Sequence, residues 1–215
     1  VGLGAEGIEH AKQLFKNLRD STRRNIKKAK TEKVEVSISG SPEAMNEFCR
    51  LNALTRREHG LPPQPYRFFR HLYDHVIARD MGVIAAASVE GQVIAANIYL
   101  KFARQAVYKY GASDKRFQHL RANNLIMWEA IQWMSDKGLE SLLFGRTEPE
   151  HHGLLQFKAG WGAVSYQLNY YRYDLRENAF LENPVEVNPL AKKIFSRLPI
   201  LILKTVGRIL YRHMG

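Results

Sequence analysis

Between residues 7 and 30, apolar side chains return every three or four positions: Ile8, Ala11, Phe15, Leu18, Ile26 and Ala29, with Thr22 in the same register. That spacing predicts one amphipathic helix. A second stripe beside it is basic: Lys12, Lys16, Arg19, Arg23, Lys27 and Lys30, with Arg24 and Lys28 nearby. Charges of a single sign along one helix repel one another unless something anionic offsets them. Arg19, Arg23, Arg24, Lys27 and Lys28 are therefore candidates for binding nucleic acid or another polyanion, the alternative being a solvated face.

The pattern then changes period. VEVSIS (34–39) alternates as a strand does. SPEAMNEFCRLNALTRREHG predicts a helix opened by Ser41 as N-cap and Pro42 at the first turn, and closed by Gly60. After a proline-rich entry, a further helix begins near Tyr66. Two strands, GVIAAASVEG and QVIAANIYLKFA, flank a turn at Glu90, Gly91 and Gln92. A third, QAVYKYGAS, ends near Gly111. Leu125, Trp128, Ile131 and Trp133 mark a helix closed by Gly138. LESLLFG reads as a strand, HGLLQFKAGWG as a short helix, and VSYQLNYYRYDL (164–175) as a last strand.

After the basic helix the order is therefore β, α, α, β, β, β, α, β, α, β. It predicts an α+β (α/β) fold: a mixed central sheet with hairpins and a β-α-β crossover, flanked by helices. The N-terminal basic helix (1–33) precedes the sheet domain (34–176), and a tail (177–215) follows it. From Pro189 the tail carries Lys192, Lys193, Arg197, Lys204, Arg208 and Arg212 and no acid, interleaved with Ile194, Phe195, Leu198, Ile200–Leu203, Val206, Ile209 and Leu210. Such a segment suits the interface of an anionic membrane, or packs its apolar face on the domain.

Composition narrows the partners more than the fold. At 215 residues and 45% hydrophobic, the chain is long enough to bury one core. A net charge of +11 favours an anionic partner: nucleic acid, a phosphorylated substrate or an anionic membrane surface. The single cysteine, Cys49, excludes a disulfide framework and fits a reducing, cytoplasmic setting. The first ten residues show no secretory leader, and a start at Val1 fits part of a longer protein. No run reaches the roughly 18 apolar residues that a membrane span needs.

The stretch LLFGRTEPEHHGLLQFKAGWG (142–162) gathers the candidate chemistry. Arg146 suits bidentate binding of a carboxylate or phosphate, or an ion pair with Glu148 or Glu150. His152, or its neighbour His151, could serve as a general base near neutral pH. Adjacent histidines without a third ligand at recognisable spacing make no metal site. Asp114 either orients substrate or caps a turn, and Tyr108 and Tyr110 alternate to one strand face at the edge of a cleft or in the core.

These residues also carry a resemblance. TRRNIKKAKTEKVEV, the run from YKYGASDKRFQHLRANN to the GRT…GLLQFKAGWG combination, and SRLPILILKTVGRILYRHMG resemble the GNAT acyltransferases. Within them they are similar to FemAB-like aminoacyltransferases and relatives found near exopolysaccharide and exosortase loci. The resemblance implies transfer of an aminoacyl or acyl group to an amine or hydroxyl of a cell-envelope precursor (peptidoglycan or polysaccharide), at the inner membrane face. It implies an acyl-CoA or aminoacyl-tRNA donor as substrate, with tRNA, coenzyme A or a lipid-pyrophosphate precursor as the polyanionic partner, and no tightly bound cofactor. FemAB-like proteins pair two such domains, and the present chain matches the second. Phe157 and Lys158 are implied to line the place of the tetrahedral oxygen or leaving group: the Phe157 N–H, near a helix start, and the Lys158 ammonium are both donors. RFQHLRANN stands where relatives have a glycine-rich phosphate loop and contains no glycine. Arg116, Arg121 and Asn123 are then the substrate-binding candidates there. A module of the same fold that binds RNA or anionic membrane without chemistry is the competing reading.

Overall fold

The computed structural model describes residues 8–180 and 189–211. The predicted N-terminal helix is two helices, α1 (Ile8–Asn17) and α2 (Asp20–Thr31). The break is a tertiary effect. Arg19 adopts an extended conformation (φ −56°, ψ 143°), and its N–H donates to the Gly160 carbonyl at 3.2 Å. Arg23 then clasps the joint, donating to the Lys16 carbonyl at 2.7 Å and pairing with Asp20. The basic stripe is thus interrupted, and Arg23 is engaged internally.

Strands β1 (Glu35–Ser39), β2 (Gly82–Val89), β3 (Gln92–Phe102), β4 (Gln105–Ser113) and β5 (Ser141–Leu143) form one sheet in sequence order. The first four are antiparallel, and β4 pairs with β5 in parallel. Helices α3 (Pro42–Glu58) and α4 (Tyr66–His75) follow β1, and α5 (Ala122–Asp136) makes the crossover from β4 to β5. Ser41 caps α3 as its sequence predicts, its hydroxyl accepting the Ala44 N–H at 3.2 Å. The β2–β3 turn puts Glu90 and Gly91 at φ +49° and +76°, the paired left-handed geometry of a tight hairpin.

Each face of the sheet has its own core. Val83, Ala85, Ala87 and Tyr99 pack with Ile26 and Ala29 of α2 and Ile126, Ile131 and Met134 of α5. Ile84, Ala86, Ala96 and Ile98 pack with Met45, Phe48 and Leu51 of α3 and Phe69 of α4. This is the period-two alternation of a sheet covered on both sides. The basic helix is therefore also a core helix: Thr22, Ile26 and Ala29 are its buried face.

Two strand expectations are corrected. The stretch 164–175 is not a strand of the main sheet. Tyr173–Asp174 (β6) pairs only with Ala179–Phe180 (β7), while Val164, Tyr166, Leu168 and Tyr170 are exposed. Alternation gave that segment a strand's face, but residues 164–172 find no neighbouring strand among the described residues, and a ladder needs one. In β4 a bulge sets Tyr99 opposite Tyr108 and Ile98 opposite Tyr110. The extra residue, Lys109, turns the two tyrosines to opposite faces. Tyr108 joins the α5 side against Tyr99 and Phe144, and Tyr110 the α3 side against Phe48, Phe68 and Phe69.

In the tail, α7 (Pro189–Phe195) and α8 (Ile200–Leu210) fold back on the domain. Leu203 and Gly207 are buried, and the Tyr211 hydroxyl accepts from Arg56 at 3.0 Å. Arg212 lies outside the described residues.

Candidate active site

Strands β4 and β5 stay paired for three positions only, Gln105–Ser141, Ala106–Leu142 and Val107–Leu143. Beyond them β4 continues through its bulge to Ser113, while β5 ends, so the sheet opens at this edge. A cavity of about 520 Å³ lies beside the opening. It is walled by Arg19 and Asn25 of α2, Tyr108 and Asp114 of β4 and its end, Arg121, Asn123 and Asn124 at the start of α5, and Gln156 and Phe157 of α6 (His152–Ala159).

The segment replacing a glycine-rich loop is a 3₁₀ helix, Lys115–Leu120, organised by Asp114. The Asp114 carboxylate accepts the Arg116 N–H at 3.1 Å and, on both oxygens, the Arg116 guanidinium. That guanidinium holds the carboxyl below the usual carboxylate range. The N–H of Phe117 goes to the Asp114 carbonyl and that of Arg121 to Gln118. The amides of Arg116, Phe117 and Arg121 are therefore spent internally. Arg121 itself sits at φ +60°, a left-handed conformation that glycine adopts without strain, and supplies no side-chain cap to α5. The first N–H groups of α5, at Ala122 and Asn123, lack intrahelical partners and carry the positive end of the helix dipole. Anion-binding potential here comes from those amides plus Arg121 and Arg19.

Tyr108 is the aromatic wall, and burial raises its hydroxyl pKa to about 12. It stays protonated at neutral pH and so keeps a proton to donate. Its hydroxyl occupies the space a side chain at Gly111 would need: a Cβ there would fall 2.0 Å from it. Nearby, Asn97 donates to the Tyr99 hydroxyl at 3.2 Å, and its own side-chain oxygen is buried without a partner.

The other expected residues stand elsewhere. Phe157 lines the cavity with its ring, which packs on Trp161, but its N–H is no free donor. It is the sixth residue of α6, inside the helical hydrogen-bond ladder rather than near the start. Lys158 does not line the cavity. It is 8% exposed, and its ammonium donates to the carbonyls of Gly145 (2.9 Å) and Arg146 (3.3 Å) and to the Thr147 hydroxyl. Burial lowers its pKa. Arg146 is exposed, pairs with Glu148 at 2.9 Å and lies 4.7 Å from the Tyr170 ring centroid. His152 is exposed at the start of α6, Tyr110 faces the other core, and Arg116 is turned to Asp114. Arg24, Lys27 and Lys28 are exposed on α2, away from the cavity lining. Among the described residues no group of three His, Cys, Asp or Glu side chains is placed to hold a metal ion.

Ser21, Thr22, Asn25, Gln118, Asn124 and Gln156 also line the cavity and were not singled out by sequence. A faint signal existed: Ser21 and Asn25 are uncharged polar residues four apart that interrupt the basic stripe, and so share a helix face.

The family model described as the acetyltransferase (GNAT) domain matches residues 16–158. Among solved structures, FemX superposes with a TM-score of 0.65 at 15% identity, over 71% of this chain and 56% of the FemX chain. The chain therefore spans little more than half the length of FemX. An aminoglycoside acetyltransferase from an uncultured soil metagenomic sample, in complex with sisomicin, gives 0.53 at 15% identity, over 66% of this chain and 96% of its own. The aminoglycoside acetyltransferase AAC(6')-Iy, with the bisubstrate analog CoA-S-monomethyl-acetylneamine, gives 0.53 at 12% identity, over 66% and 98%. No curated protein matches the sequence. At these identities the superpositions speak to the fold, and the family match, over more than half of the 215 residues, speaks to kinship: the chain belongs to the GNAT acetyltransferase domain family.

Proposed function

We propose that this domain receives an activated acyl or aminoacyl donor in the cavity beside the β4–β5 opening and passes the group to an amine or hydroxyl of a cell-envelope precursor. One observation carries the reading: the start of α5, Arg121 and Arg19 converge on a single cavity that Tyr108 also borders. Amides and guanidinium groups grip the phosphates of the donor, whether coenzyme A or the end of a charged tRNA. The acyl group then enters the opening beside Tyr108. A bond forms between the acyl carbon and the acceptor nitrogen or oxygen, and the bond to the donor sulfur or oxygen breaks. The acceptor's proton leaves to solvent, the departing atom takes a proton from Tyr108, and the Tyr108 phenolate is reprotonated from solvent. Lys158 acts as a positioning residue: it holds Gly145–Thr147 at the end of β5, and with it the width of the opening. Arg146, exposed on the loop before α6, and His152, exposed at its first residue, belong to the acceptor side.

Coenzyme A is named in a structural neighbour's complex, whereas the loop of this chain offers charged side chains in place of glycine amides. Equilibrium binding of acetyl-CoA and of an aminoacyl-tRNA across a salt series separates the donors. Saturable binding that weakens about tenfold or more in Arg121→Ala places that donor's phosphates in the cavity. Exposed Arg24, Lys27 and Lys28 favour one rival, a binding module without chemistry. Its signature is tRNA binding with a steep salt dependence, indifferent to Arg121→Ala and unaccompanied by transfer.

A further inference from the structure

The tail packs on the domain by one face only. On α8, Leu203 and Gly207 are buried, and a Cβ at Gly207 would fall 2.2 Å from the Pro63 carbonyl oxygen. The opposite face is apolar and open: Leu201 is 78% exposed, Ile209 57% and Ile202 47%. Along the helix these three fall within about 100° of one another, and Lys204 and Arg208 lie along the Leu201 edge of that band. On the preceding segment Ile194 is exposed beside Lys192, Lys193 and Arg197. Residues 189–211 hold five basic side chains and no acidic one.

We propose that this outer face of α7 and α8 docks the domain on the surface of an anionic phospholipid bilayer. The helix lies in the interface, with Leu201, Ile202 and Ile209 entering the acyl boundary and the basic side chains reaching the headgroup phosphates. Charge selects this occupant. A second copy of the chain would bring the same like-charged rim against itself across a two-fold interface, which repels. A bilayer surface offers hydrocarbon and negative charge together. Spanning is excluded for these helices, since no described helix is long and apolar enough to cross a membrane. The face stands apart from the cavity lining, so the inference does not depend on the transfer reading.

Vesicle flotation tests it, with phosphatidylcholine alone and with phosphatidylglycerol added. The chain is expected to float with the anionic vesicles and far less with the neutral ones. Leu201→Ser with Ile209→Ser removes apolar contact and should weaken flotation at least about tenfold. Lys204→Glu with Arg208→Glu should abolish the preference for anionic lipid. All four positions are exposed, so the variants are expected to keep the wild-type circular dichroism and melting temperature. Three results overturn the proposal: wild-type chain that stays with neither vesicle, folded variants that float as well as wild type, or a wild-type dimer that the serine pair dissolves while no vesicle is bound. Acetyl-CoA and tRNA binding, read in parallel, report on the cavity separately.

Discussion

The Lys158 ammonium donates to the Gly145 carbonyl at 2.9 Å, tying the last turn of α6 to the loop that follows β5. With the Arg146 carbonyl and the Thr147 hydroxyl, it uses the full donor capacity of a protonated lysine. A residue so committed shapes the site through the loop it holds.

Lys158→Met keeps much of the volume and deletes the three bonds. The expected loss is roughly 1–3 kcal/mol of stability, together with faster proteolysis at residues 145–151. Transfer should fall in step with loop order. If melting temperature and proteolysis stay at wild-type values while turnover collapses, Lys158 acts on the reacting atoms directly.

Arg121 separates binding from stability in one substitution. Glycine relieves the left-handed backbone at φ +60°, a strain of roughly 1–2 kcal/mol for an L residue, against an entropic cost for glycine of roughly 0.5–1 kcal/mol. It also removes a guanidinium from the cavity wall. Arg121→Gly is expected to melt at or above the wild-type temperature and to bind donor at least about tenfold more weakly. Unchanged donor affinity in the stabilised variant would remove Arg121 from the site.

Asp114 brings a pH dependence. Its folded pKa lies below the unfolded value because Arg116 favours the carboxylate. The stability it contributes is fully present above the unfolded value near 3.9 and is lost as pH falls through the folded one. Asp114→Asn retains an oxygen for the Arg116 N–H but carries no charge. Thermal melts between about pH 6 and pH 2 should therefore show a deficit for the variant at the upper end that shrinks as pH drops. A constant deficit across that range would mean that the charge of Asp114 adds nothing.

Gly207 tests the docking of the tail. A methyl group there meets the Pro63 backbone, which cannot swing aside as a side chain would. Gly207→Ala should lift α8 from the domain at a cost of about 1–3 kcal/mol and speed hydrogen exchange across residues 200–210. Wild-type exchange rates would show that the Pro63 turn yields without strain.

The main sheet was legible because its elements are locally self-consistent. Ser41 and Pro42 open α3 whatever it packs against, Glu90–Gly91 suits one kind of hairpin turn, and β2 carries apolar residues on both faces because helices cover both. The candidate site was legible only in pieces. Asp114, Arg121, Asn123, Phe157 and Arg19 do meet around one cavity, while Arg146, His152, Tyr110 and Lys158 do not line it. The motif marked α6 correctly but could not say which of two adjacent residues faces the cavity, since neighbours on a helix point about 100° apart.

Sequence alone was enough for the order of elements from β1 to α6, for helices flanking the sheet and for the strong positive charge, because periodicity, capping and composition act over a few residues. The tertiary structure decided the rest. Gly160 breaks the basic helix by accepting the Arg19 N–H, the unmatched Lys109 splits two tyrosines between opposite cores, and the early end of β5 opens the sheet. Each depends on how one segment pairs with another, and the local pattern of a single segment carries no term for its partner.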